Sequence, residues 1–179
     1  AENGTTQQTY DKHGNLTRVT DAKTPAGVWQ FAYDEVDRLS RATDPLGAFE
    51  TFAYDNDSKL KTLVDRKTQT FTFTYDTVYR LTQKEFPAAP GTPGNTLVTF
   101  GYSLNDQLTS VVRPEATLTN TYDGFDRLAT ASTAGSPNQP DVLLTSTYDK
   151  NGNRLTLIAT QAATTVASLS YTPDRLNRI

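Results

Sequence analysis

Short runs of alternating apolar and polar residues fill the chain, each closed by a cluster of Asp, Gly, Asn or Pro. Trp29, Phe31 and Tyr33 fall on alternate positions, as do Phe71, Phe73 and Tyr75. A two-residue period puts such side chains on one face of a strand, so each run predicts a strand with one apolar face. Two residues before a tyrosine stand Phe31, Phe52, Phe73, Phe100 or Leu169. Four before it stand Trp29, Phe71, Val98, Leu118 or Leu144. Glu50, Asn120 and Ser146 break the stripe, which is therefore not uniformly dry.

The runs repeat. Aligning the tyrosines gives "YDKHGNL" at Tyr10, "YDEVDRL" at Tyr33, "YDNDSKL" at Tyr54 and "YDTVYRL" at Tyr75. "YSLNDQL" follows at Tyr102, "YDGFDRL" at Tyr122, "YDKNGNRL" at Tyr148 and "YTPDRL" at Tyr171. Only Tyr79 of the nine tyrosines stands outside this register, and successive spacings are 23, 21, 21, 27, 20, 26 and 23 residues. A fixed period of this length marks a repeat architecture. Each repeat has room for two strands and two turns. The fourth position past Tyr is Gly14, Asp37, Ser58, Tyr79, Asp106, Asp126 or Gly152. Gly and Asp suit the positive φ of a tight hairpin connection, whereas Tyr79 should strain the turn or change its type. Six past Tyr comes Leu16, Leu39, Leu60, Leu81, Leu108 or Leu128. In the last two repeats the leucine slips to Leu155 and Leu176. A closed hairpin would bring each leucine to its tyrosine ring. At the opposite end, "DPLG" at 44–47 has the residues of a type I turn. The Pro-rich stretches 86–95 and 134–141 lengthen two repeats as loop insertions on one edge. Eight hairpins give about sixteen strands, and open sheets rarely exceed about ten without curling, so the strip is expected to bend.

Composition agrees with an all-β reading. Hydrophobic residues are 36% and aromatics 10%, and the 31 threonines favour pleated, half-exposed surfaces. The net charge of -3, with Lys and Arg scattered, leaves no footprint for nucleic acid. No run approaches the roughly 20 apolar residues of a membrane span. Without cysteine there is no disulfide framework or Cys-based metal site. The chain opens on "AENGTTQQTY" without Met and stops inside a pattern at "DRLNRI", and so reads as a piece of a longer protein.

The pattern resembles the YD-repeat, or RHS-repeat, family, whose units read Y-D-x-x-G-R-L, then a strand, a D-P-x-G turn and an aromatic strand. Residues 33–54 and 122–128 match it best, and the likeness covers residues 10 to 179. The family's glycine is mostly replaced here, and the fifth repeat lacks the aspartate. The family includes bacterial RHS polymorphic toxins, insecticidal toxin complex B and C components, wall-associated bacterial proteins and teneurins. The resemblance implies a secreted or surface protein, bacterial in origin, whose hairpins wind into a hollow β-shell around a C-terminal toxin or other cargo domain. The family's self-cleaving core carries Asp-Pro motifs, but Asp44-Pro45 lies inside the ordinary repeat register and reads as a turn.

The expected fold is therefore one array over residues 1–179, a curved, spiralling antiparallel sheet of tandem hairpins. The residues expected to matter are structural. They are the tyrosines with their leucines, and Asp11, Asp34, Asp55, Asp76, Asp123 and Asp149 one past Tyr. Basic partners stand at Arg38, Lys59, Arg80 and Arg127. Ser103 and Gln107 replace both members of the charge pair in the fifth repeat, a coupled change that points to contact. Catalysis has little to stand on. His13, the only histidine, occupies an ordinary turn position, and carboxylates recurring in register are structural rather than an acid/base pair. "DKNGN" at 149–153 lacks the Gly and Glu spacing of a calcium loop and reads as an Asx turn. No cofactor is expected. The alternative to a scaffold is a carbohydrate-binding or adhesion module using Trp29, Phe31 and Tyr33 as a stacking platform. Partners are then the remaining repeats, the cargo domain and glycans, with edge-to-edge self-association through free strand edges.

Overall fold

The computed structural model describes residues 5–23, 25–88, 96–137 and 139–174. Fifteen strands are seen among them. The first eight are β1 (Gln7–Tyr10), β2 (Leu16–Thr20), β3 (Val28–Tyr33), β4 (Leu39–Thr43), β5 (Phe49–Tyr54), β6 (Leu60–Val64), β7 (Thr70–Tyr75) and β8 (Leu81–Phe86). Then come β9 (Thr96–Tyr102), β10 (Leu108–Arg113), β11 (Ala116–Tyr122), β12 (Leu128–Ala134), β13 (Val142–Tyr148), β14 (Arg154–Gln161) and β15 (Thr164–Ser170). The strand expected to begin at Leu176 lies outside the described residues, as does most of the 86–95 insertion.

The strands form one antiparallel sheet whose order follows the chain from β1 to β15. Two compact units divide it. One holds β1 to β7 with the Lys84–Phe86 end of β8, and the other holds Leu81–Gln83 with β9 to β15. Every tyrosine of the register from Tyr10 to Tyr148 ends a strand, and the residues after it make the turn.

In the first unit the register stacks one apolar face from strand to strand: Val19 opposite Trp29, Phe31 opposite Ala42, Phe52 opposite Leu63, and Leu63 opposite Phe71. In the second, Phe100 pairs Val111, Val111 pairs Leu118, Ala131 pairs Leu144 and Leu144 pairs Ala159. The sheet is a single layer, so this face is half-buried rather than dry. Among the described residues only Ala42 and Val98 fall into the buried core. Long side chains cover part of what a second layer would. The Lys84 ammonium lies 4.5, 5.4 and 5.9 Å from the ring centroids of Phe86, Phe73 and Phe71. The Arg66 guanidinium lies 5.3 Å from Trp29 and 3.7 Å from a carboxylate oxygen of Glu50, which explains the acidic break in the stripe. Cations over ring faces stabilise by about 0.5–1 kcal/mol at such exposed sites.

Six tyrosine hairpins share an irregularity that the sequence pattern does not announce. Tyr33 pairs Leu39, yet Ala32 pairs Arg41, so Ser40 is skipped. The same β-bulge skips Thr17, Lys61, Thr109, Ala129 and Leu155. The extra residue always follows the one facing the tyrosine, and a bulge there increases the local twist.

Candidate functional site: the rows of tyrosine-aspartate turns

Each turn is built by its aspartate. The Asp34 carbonyl accepts from Asp37 N–H at 3.1 Å, and Asp34 N–H donates to the Arg38 carbonyl at 2.9 Å. One carboxylate oxygen of Asp34 then accepts from the N–H groups of Val36 and Arg38, at 3.0 and 2.9 Å. Asp11, Asp55, Asp76, Asp123 and Asp149 repeat these bonds. Asp44 and Asp65 repeat them at the other edge of the sheet. In the fifth repeat the Ser103 hydroxyl does the same work, at 3.2 Å to both Asn105 and Gln107 N–H. A type I turn closed by one left-handed residue needs positive φ at the fourth position past Tyr. All seven residues there have it, from Ser58 at 60° to Gly14 at 90°. Tyr79 adopts φ 67° with the same backbone bonds, so the turn type does not change and the strain of a bulky left-handed residue is retained.

The second carboxylate oxygen accepts from the side chain at the fifth position past Tyr in five of the turns. Arg38, Arg80 and Arg127 reach Asp34, Asp76 and Asp123 at 2.7 Å. Lys59 departs from the expected pairing: it meets the Asp55 carboxylate through its backbone N–H, and its ammonium lies 5.0 Å from the Tyr79 ring. Asn15 and Asn153, which were not picked out from sequence, donate to Asp11 and Asp149 at 3.1 and 2.8 Å. Five of the seven turns thus place a side-chain donor on the aspartate, from arginine or asparagine alike, so charge is not required. Backbone N–H donors hold the Asp11, Asp34 and Asp76 carboxyls below the usual carboxylate value. For Asp123 and Asp149 the side-chain bonds from Arg127 and Asn153 contribute most to the lowering.

The tyrosines face their own leucines across the hairpin, as Tyr10 with Leu16, Tyr33 with Leu39, Tyr54 with Leu60, Tyr102 with Leu108 and Tyr122 with Leu128. Their hydroxyls go elsewhere. Tyr33, Tyr54 and Tyr75 donate to the carbonyls of Leu16, Leu39 and Leu60, each in the preceding repeat, at 2.9–3.0 Å. Tyr102, Tyr122 and Tyr148 donate likewise to Leu81, Leu108 and Leu128 at 2.9 Å. Asn120, the polar break in the stripe, also donates to the Leu108 carbonyl at 3.0 Å. One reading needs correction. Tyr148 faces Arg154, and Leu155 is the bulged residue, because the turn spans five residues as elsewhere and leaves arginine in the leucine's place. The Arg154 Nε is buried with no partner. Leu176 lies outside the described residues.

The fifth-position side chain reaches forward. Arg38 donates to the Asp55 carbonyl at 3.2 Å and the Ser58 hydroxyl at 3.0 Å, and lies 4.6 Å from the Tyr54 ring. Arg127 bonds the Asp149 carbonyl at 2.8 Å over the Tyr148 ring, and Gln107 bonds Asp126. His13 Nδ1 and Asn15 meet the Asp37 carboxylate at 2.8 and 2.7 Å, as Asn105 meets Asp126 at 2.8 Å. Adjacent turns within each unit are thus tied in both directions.

The aspartates one past their tyrosines are occupied by their own turns. The depression lined by Asp55, Asp57, Asp76, Tyr75 and Tyr79 encloses about 290 Å³, but Asp55 and Asp76 accept their own turn N–H groups. Among the described residues no cluster of His, Asp or Glu is suited to hold a metal, and no helix is long and apolar enough to cross a membrane.

Residues 10–48 match the RHS Repeat family. No curated protein matches the chain. The fold is shared with solved toxin-complex structures at low sequence identity. In the crystal structure of TcdB2-TccC3-Cdc42, 95% of this chain superposes on 10% of that chain, with TM-score 0.80 and 17% identity. TcdB2-TccC3 without its hypervariable C-terminal region gives 0.79, again at 17% identity and covering 95% and 10%. A mutant Photorhabdus luminescens Tc holotoxin pore gives 0.76 at 18% identity, covering 93% of this chain and 9% of that one. The chain spans about a tenth of the length of the chains it matches.

Proposed function

We propose that this array of RHS repeats is a non-catalytic wall segment of a hollow β-shell, which encloses or presents a toxin or other cargo domain of a larger secreted bacterial protein. The observation that carries the reading is the two-way tie between successive turns. A tyrosine hydroxyl reaches back and a fifth-position donor reaches forward, so the recurring residues are spent on cohesion between repeats. A sheet whose strand order follows the chain extends by adding hairpins, as a wall requires. The likeness of fold to Tc toxin chains supports the same reading. The carbohydrate platform at Trp29 is not carried forward, because Arg66 occupies its ring region while lying 3.7 Å from Asp44 and Glu50 oxygens.

The test is electron microscopy of the full-length product of the encoding gene, with protease protection of its cargo domain. The expected result is a closed particle in which this segment forms part of the wall and shields the cargo. A segment that projects as an appendage, with the cargo cleaved at the rate of the free domain, would sink the reading.

A further inference from the structure

The first hairpin, β1–β2, stands at one end of the described sheet. Three residue pairs join β2 to β3, as three join β4 to β5 and β6 to β7, all of β1 is exposed, and the Tyr10 hydroxyl turns to Gln8. Besides the Asp21–Gly27 bonds that close the β2–β3 connection, it is tied to the second repeat by the Tyr33 hydroxyl on the Leu16 carbonyl and by the bonds that His13 and Asn15 make to Asp37. The equivalent tie in the second unit, third position to the next turn's fourth, is an amide: Asn105 to Asp126. The first turn alone builds this contact from a group that titrates near neutrality.

We propose that His13 and Asp37 form a pH-dependent clasp, which holds the β1–β2 hairpin to the second repeat more tightly when the imidazole is charged. The two turns carry Asp11 and Lys12 on one side and Asp34, Glu35, Asp37 and Arg38 on the other. Asp34 and Arg38 are paired with each other. The Asp37 carboxylate, by hydrogen bond and by charge, and Asp11, by charge, both favour the imidazolium and hold the His13 pKa above 6.5. A group whose pKa is raised on folding stabilises fully below its unfolded value, and that contribution fades as pH rises through the folded value. Neutral His13 retains one N–H, so deprotonation removes the ionic part of the clasp and leaves an ordinary hydrogen bond. Asp37 stays ionised throughout this window, its own pKa lowered first by the His13 bond.

The experiment is native-state hydrogen exchange of the 179-residue chain from pH 5 to 8, corrected for intrinsic exchange rates. Half-exposed ion pairs change local equilibria by about 1.4- to 5-fold, so the opening constant of β1–β2 should rise by that factor across the histidine titration. Amides of β13 and β14 should not follow it. H13N, which copies the Asn105 contact, should exchange at a pH-independent level, and D37N, which tolerates the left-handed turn position, should flatten the profile too. A flat wild-type profile, or a slope that survives in H13N, overturns the clasp.

Discussion

At the scale of single residues, the tyrosine separates into two parts with different duties. Its ring faces the leucine of its own hairpin, while its hydroxyl satisfies a half-buried carbonyl of the preceding repeat. Tyr54→Phe keeps the ring and leaves the Leu39 carbonyl without its donor. A net intramolecular hydrogen bond contributes about 1 kcal/mol, so urea unfolding should show a loss of that order. An unchanged midpoint would mean that water replaces the hydroxyl at no cost. Arg154 is the opposite case, a charged residue in a leucine's position with a buried, unpartnered Nε. Arg154→Leu restores the pattern and removes a desolvation cost of about 1–3 kcal/mol. A higher urea midpoint is expected, and a lower one would reveal a partner for the guanidinium.

At the scale of the element, the hairpin was largely legible from its turn. Tyr, Asp, a left-handed residue and Leu at fixed offsets specify a strand end, an Asx turn and the first residue of the return strand. Each of these is local chemistry that a short window contains. What stayed hidden depends on the neighbouring hairpin. Which acceptor a tyrosine hydroxyl finds is set 14 to 21 residues away, so nothing inside one YD motif announces it. The bulge was also unreadable, because Thr17, Ser40, Lys61, Thr109, Ala129 and Leu155 share no chemistry. At the seventh repeat the turn length, and not the place of the nearest leucine, fixes the register, so Arg154 faces Tyr148 and Leu155 bulges.

At the scale of the whole molecule, stability rests on many copies of one modest device rather than on a deep core. Asp11, Asp34, Asp76, Asp123 and Asp149 all have carboxyl pKa values below the ordinary 3.8. A lowered pKa gives stability that is present above the unfolded value and lost as pH falls through the folded value. Urea midpoints should therefore hold from neutrality to about pH 4 and drop together below it. Replacing Asp34, Asp76 and Asp123 by Asn should shallow that drop. A midpoint equally steep in the triple variant would shift responsibility to other carboxylates. The fifth turn, built on Ser103 without a carboxylate, should be the least acid-sensitive of the row.

The direction of the tyrosine hydroxyl bond has a consequence for how such a chain is made. From Tyr33 to Tyr148 the acceptor belongs to the earlier hairpin and the donor to the later one. During synthesis from the N-terminus each finished hairpin therefore already presents the carbonyl that its successor needs. No hairpin waits for a distant part of the chain, and contacts stay local in sequence, which favours fast folding. The ribosome can lay the sheet down one repeat at a time, each new course of tyrosines gripping the one beneath it.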